Sequence, residues 1–202
     1  MNKIGFIWVL VIALVLLLQT GFNANAQTPP VTIGIKGGIN LSDFGGDIKD
    51  MKSAIKYQAG ITFDIALTEN VYVLTGLEFV TKGAKHKPKK GAQTRYNPIY
   101  LQIPVHAAYK FDVASDVKLV INAGPYAAYG LGGKMKTDGE KVNIFGDNRF
   151  KRFDFGIGGG AGVEVGKIAF NLGYDFGLLN INDMKGVKVR NRNAYASLGL
   201  KF

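Results

Sequence analysis

Chemistry in this chain has to come from oxygen, imidazole and amine groups, because the sequence holds no cysteine and only two histidines, His86 and His106. The missing thiols exclude disulfides, thiolate zinc sites and a cysteine nucleophile. Two histidines cannot build an all-histidine metal cage, so neither metal nor cofactor is expected. His106, Ser197 and the acids Glu78, Asp154 and Glu164 supply the residue types of a Ser-His-acid hydrolase. Nothing in their spacing pairs a nucleophile with a base, however, and that geometry is the first requirement of such a site. The plainer reading places His106 in a polar interior and His86 in a solvated basic loop, and no catalytic residue is expected. Gly156-Ile-Gly-Gly-Gly-Ala-Gly162 could suggest a phosphate cradle. It lacks the GK[ST] ending and opens no helix, and glycines 156, 158, 160 and 162 keep a two-residue period. On a strand, such a face without side chains makes room for bulk such as Tyr126, Tyr195 or paired charges, or allows strong bending.

The elements that must carry these residues follow from hydrophobic periodicity. The chain has 202 residues, 47% of them apolar, with 27 Gly, 13 Phe and 9 Tyr and a formal net charge of +10. That composition suits one domain and excludes a disordered chain. Residues 1–26 begin with Lys3, run through an apolar stretch and end Ala24-Asn25-Ala26, the pattern of a cleaved secretory signal peptide. Its apolar run of about 15 residues falls short of the roughly 20 that a membrane-spanning helix needs. The remaining domain, 27–202, alternates with period 2, the signature of β-strands, over segments 32–41, 55–67, 71–81, 96–111, 117–131, 153–165, 168–178 and 193–202. Long and short connections alternate between them. This order predicts an all-β fold, an eight-stranded antiparallel up-and-down transmembrane β-barrel with tight turns at one end and long loops at the other.

Charge tests which face is outside. Lys36, Lys56, Asp64, Glu78, Lys110, Lys118, Asp154, Glu164, Asp175 and Lys201 all fall opposite the apolar face of their segments. Lipid-facing charge costs roughly 2 to 4 kcal/mol at mid-bilayer, so these residues are expected to form a self-paired lumen network. Tyr57, Phe79, Phe153 and Phe155 near the long-loop end, with Phe111 and Phe202 near the other, would form aromatic girdles. Pro104 and Pro125 interrupt the strand pattern, and a bulge or local register change is expected in the fourth strand, 96–111, which carries Pro104. An interior of eight strands is too narrow to hold all the large apolar residues or to act as a general diffusion pore. A soluble, lipocalin-like ligand barrel would instead turn its apolar face inward.

The opening strand Ile33-Gly-Ile-Lys-Gly-Gly-Ile-Asn-Leu41, the segment Tyr100-Leu-Gln-Ile-Pro-Val105, the glycine-rich sixth strand and the terminal Leu200-Lys-Phe202 make the chain resemble the PorT-like family of small outer-membrane β-barrel proteins, often labelled only "porin family". The resemblance implies an integral outer-membrane location in a Gram-negative envelope. It also implies insertion by the barrel-assembly machinery, with Phe202 as the assembly signal. One member of that family is linked to protein secretion, which gives a second reading as part of a secretion apparatus. The stretch 82–95 carries Lys82, Lys85, Lys87, Lys89, Lys90 and Arg95 without an acid. In this setting the group Lys85, Lys87, Lys89, Lys90 and Arg95 would contact lipopolysaccharide phosphates, or simply be solvated. The expected partners are outer-membrane lipid, lipopolysaccharide and envelope proteins, the expected state is a monomer, and nucleic acid is not expected, because the cations lack interleaved aromatics.

Overall fold

The computed structural model describes residues 30–202 apart from 49, 89–90, 147–148 and 185. The leader reading for 1–26, and Lys89 and Lys90 of the basic stretch, lie outside the described residues. The described residues form strands β1 (Val31–Gly46), β2 (Met51–Ala66), β3 (Val71–Thr81), β4 (Ala84–His86), β5 (Thr94–Ala114), β6 (Val117–Thr137), β7 (Glu140–Asn143), β8 (Phe153–Val165), β9 (Ile168–Gly177) and β10 (Val189–Lys201). The eight long strands each pair antiparallel with their neighbours in sequence. The ring closes through β1 against β10, from Gly34 opposite Lys201 to Gly46 opposite Val189. A closed ring leaves no unpaired strand edge, as a sheet surrounded by hydrocarbon requires.

The short additions sit at the long-loop end. β4 continues β3 after a kink at Gly83, whose φ of 124° is closed to most side chains, and bridges β2 and β5. β7 folds back on β6. β3 and β8 have the bounds that alternation predicts, whereas β1, β2, β5, β6 and β10 extend further toward the long loops. Polar and charged residues on both faces hide the period there, so pairing continues where the amphipathic signal stops.

The irregularity expected in the fourth long strand, β5, is present, but away from Pro104. The register between β5 and β6 is the same on either side of it, Gln102 opposite Ala128 and Ala107 opposite Ala123. The irregularities fall instead at Ile99/Tyr100 and Asp112/Ala114. The Thr75 hydroxyl donates to the Pro104 carbonyl at 2.7 Å, tying β3 to the proline that gives the ladder no N–H.

Side-chain facing follows strand period. Ile39, Ile61, Ile157 and Leu198 are 56%, 47%, 53% and 60% exposed on the outside, while Gln58, Asp64, Glu78 and Asn193 are buried within. The apolar face is therefore outside, which is the reverse of a lipocalin. Tyr57, Phe79, Phe111 and Phe202 are exposed on the outer surface and Phe153 and Phe155 half-buried. Among the described residues, a clustered apolar core lies inside the long-loop end of the ring.

Candidate functional site

Three layers fill the lumen. At the short-turn end, Asp64 of β2, Lys110 of β5, Glu164 of β8 and Lys201 of β10 meet across the barrel from every second strand of the ring. Lys110 Nζ lies 2.6 Å from Asp64 and 3.0 Å from Glu164. Lys201 pairs with the same two acids, 2.5 Å from Asp64. Two cations and two anions thus alternate in a square, with Lys110 also 4.3 Å above the Tyr72 ring.

In the middle layer Lys36 of β1 pairs with Glu78 of β3 at 2.7 Å. Gln102 donates to Asp175 at 3.1 Å, and His106 Nδ1 lies 2.9 Å from Asn122 Oδ1. A cavity of about 90 Å³, enough for about three water molecules, is lined by Glu78, Gln102, His106, Asp175, Tyr195 and Ser197 among others. Gln102 Oε1, His106 Nε2 and Ser197 Oγ are buried here without a protein partner. The hydrolase reading finds no geometry: His106 bonds to an amide, and neither Ser197 nor a carboxylate is its partner among the described residues. His86 is half-buried on β4, opposite Met51 and Thr94.

The upper layer starts with a residue that sequence reasoning misplaced. Lys82, counted with the basic loop, is fully buried and lies 3.2 Å from Asp154. Its ammonium sits 4.3 Å from the Tyr126 ring centroid and 5.3 Å from that of Tyr100, and Asn191 donates to Asp154 at 2.8 Å. Lys82 keeps the inward parity of Glu78 and Val80 on β3, so strand period carried one residue past Thr81 was the signal that separates it from Lys85 and Lys87; the kink at Gly83 comes after it. Above it Phe44, Tyr96 and Phe150 pack ring on ring with centroids 5.2 to 5.6 Å apart. Phe145 meets Tyr100 edge-on, and Ile144, Ile181 and Val189 complete an apolar plug. The segment between β7 and β8 and the one after β9 carry much of it, latched by Lys151 N donating to Ile181 O at 2.7 Å.

Three of the expected lumen charges stand outside these ion pairs. Lys56 donates to the Tyr96 carbonyl and to Asn97 Oδ1 at the level of the plug, and no ion pair among the described residues includes it. Asp175 takes its hydrogen bond from an amide. Lys118 reaches the short-turn rim and pairs with exposed Asp112 at 3.0 Å. The glycine face of β8 does what its spacing suggests. A side chain at Gly156 would strike the Tyr126 ring, and one at Gly158 would meet Asp175 and His106. Tyr195 is accommodated by Gly173 of β9 instead. Of the basic stretch, Lys85 lies on β4 opposite Arg95 on β5, and Lys87 is exposed beyond them. Phe202, at the other end, donates its N–H to Ile33 O at 2.9 Å.

The family model for the outer membrane protein beta-barrel domain matches residues 25–183. The chain belongs to that family. The barrel is thus an integral outer-membrane protein whose strands cross the bilayer. Among solved structures it is similar to Neisserial surface protein A (NspA), with 15% identity, a TM-score of 0.50, and coverage of 86% of this chain and 99% of that one. It is also similar to the outer membrane protein OprG from Pseudomonas aeruginosa, at 14% identity, a TM-score of 0.49 and coverage of 87% and 98%. The outer membrane enzyme PagL matches at 14% identity, a TM-score of 0.49 and coverage of 83% and 98%. At such identities the likeness to NspA speaks for the fold alone. No curated protein matches the barrel's sequence.

Proposed function

We propose that this barrel has a structural or interaction role at the cell envelope, as a PorT-like protein without enzymatic activity, and does not act as a diffusion pore. The observation that carries this reading is a lumen filled at both ends, by the Asp64–Lys110–Glu164–Lys201 square and by the aromatic plug around Phe150. Eight strands enclose only enough space for their own side chains, and the intervening cavity has room for water but not for a passing solute. The reading includes export by a leader at 1–26, insertion by the barrel-assembly machinery through Phe202, and partners among lipopolysaccharide and envelope proteins.

Reconstitution of the purified barrel in planar bilayers tests it. The expected record is free of stable conductance steps, and sustained steps from the unmodified protein would refute the closed-lumen reading.

A further inference from the structure

Five cations form one cross-strand row at the long-loop rim. Lys52 on β2 is opposite Lys85 on β4, Lys85 is opposite Arg95 on β5, Arg95 is opposite Lys136 on β6, and Lys136 is opposite Lys141 on β7. Directly opposed residues share a face of the sheet, so the register makes a continuous row, roughly 19 Å long at ordinary strand spacing. On β5 Tyr96 and on β2 Met51 pack on the plug while adjacent Arg95 and Lys52 are exposed, the period of β2 slipping by one residue between Met51 and Ala54, and this sets the row on the outer face. Lys52, Lys136 and Lys141 are also exposed, with Lys85 half-buried. Among the described residues, the ion pairs use other cations. Like charges directly opposite one another destabilise a sheet, so five in a row without an interleaved acid oppose the fold that holds them.

Height and direction say what would relieve that repulsion. Ile55 on β2 and Ile99 on β5 are exposed on the lipid-facing side. Lys52 and Arg95 follow them by roughly 10 to 13 Å of strand. On strands tilted by about 40° this rise leads from the edge of the hydrocarbon into the head-group layer. The row faces sideways, along the membrane plane, so anions standing beside the barrel can reach it. We propose that the Lys52–Lys85–Arg95–Lys136–Lys141 row is a docking site for the phosphates of outer-leaflet lipid head groups. This deepens the interaction reading above, and rests on it, by naming the residues that take the lipid phosphates. Membership is set by strand register rather than by basic composition: Lys85 and Arg95 belong, Lys87 lies beyond the paired strands, and Lys82 is inside the lumen.

The test uses the purified full barrel in zwitterionic micelles, with bisphosphorylated lipid A and its phosphate-free form as probes and retention read by native mass spectrometry. The unmodified barrel is expected to retain the bisphosphorylated lipid and not the other. The triple variant Lys85→Gln, Arg95→Gln, Lys136→Gln is expected to weaken retention at least about tenfold, from modest contributions by three surface cations. A second triple, Lys151→Gln, Lys188→Gln, Arg190→Gln, removes as many long-loop-end charges and should leave retention unchanged. Equal losses in the two triples, or equal retention of the two lipids, would overturn the row. Row-dependent capture of a soluble sulfated polysaccharide without lipid retention would overturn the choice of a lipid partner. Because relieving repulsion should hold or raise the urea midpoint of the row triple, a fall there would make the row a structural feature and sink the proposal. Conductance separates the two readings: a conducting barrel that still retains lipid would remove the closed-lumen reading and leave the row intact.

Discussion

At the short-turn end of the lumen, two lysines and two carboxylates hold one another in place; at the long-loop end, Phe44, Tyr96, Phe145, Phe150, Ile144, Ile181 and Val189 fill a similar width with apolar surface. The square is built from strands, and each corner depends on its neighbours, because a buried charge without its partner is strongly unfavourable. The plug joins strand residues such as Phe44, Tyr96 and Val189 to Ile144, Phe145, Phe150 and Ile181 of the segments between strands, and its rings share dispersion contacts with no single indispensable pair. The difference teaches that one narrow lumen can be sealed by directional electrostatics or by packing. The two seals should then fail differently.

The largest effect is expected from Lys110→Met, which leaves Asp64 and Glu164 with Lys201 alone. A loss of about 3 to 5 kcal/mol is expected from breaking a buried charge cluster on one side, measured by urea unfolding in micelles. A loss below about 1 kcal/mol would mean that the square is hydrated and resembles a surface network. Phe150→Ala should come next, at about 3 kcal/mol for truncating a buried ring, and its effect should be nearly independent of salt between low and molar concentration. A strong salt dependence would show that the plug owes its stability to Lys82–Asp154 below it, and the contrast between the two ends would fail. Lys118→Gln should be smallest, at less than about 1 kcal/mol, since the Lys118–Asp112 pair is exposed, and added salt should erase even that. An effect equal to that of Lys110 would extend the buried square to the rim.

Facing was legible in the sequence because strand period ties each charge to one side of the sheet. Asp64, Glu78, Lys110, Asp154, Glu164 and Lys201 all lie inside on that ground alone. Which charge meets which was not legible, since a cross-lumen pair such as Lys110 with Glu164 depends on the stagger of strands around the ring. Lys56 and Lys118 show the limit: parity puts Lys56 on the inner face with carbonyl oxygens rather than an acid as its partners, and Lys118 finds its acid, Asp112, at the exposed rim rather than in the lumen. The plug was missed for another reason. Ile144, Phe145, Phe150 and Ile181 are scattered through polar connections and share no period, although apolar residues in a long polar loop were a usable sign of packing. Lys82 was within reach, since it continues the parity of Glu78 and Val80 one residue past the third segment, whereas the basic row needed the registers of four strand pairs.

The seam between β1 and β10 has a consequence for how the molecule comes into being. Its partners, such as Gly34 and Lys201, are separated by nearly the whole described chain, so the last contact to form is also the one with the largest loop to close, and topology of this kind makes for slow folding. Until the seam zips, β1 and β10 each present a bare row of amide and carbonyl groups, open to mispairing with another chain. A nascent molecule is therefore most vulnerable when it is most nearly finished. Substitutions that weaken the seam should lower the yield of assembled protein before they lower the stability of what has assembled.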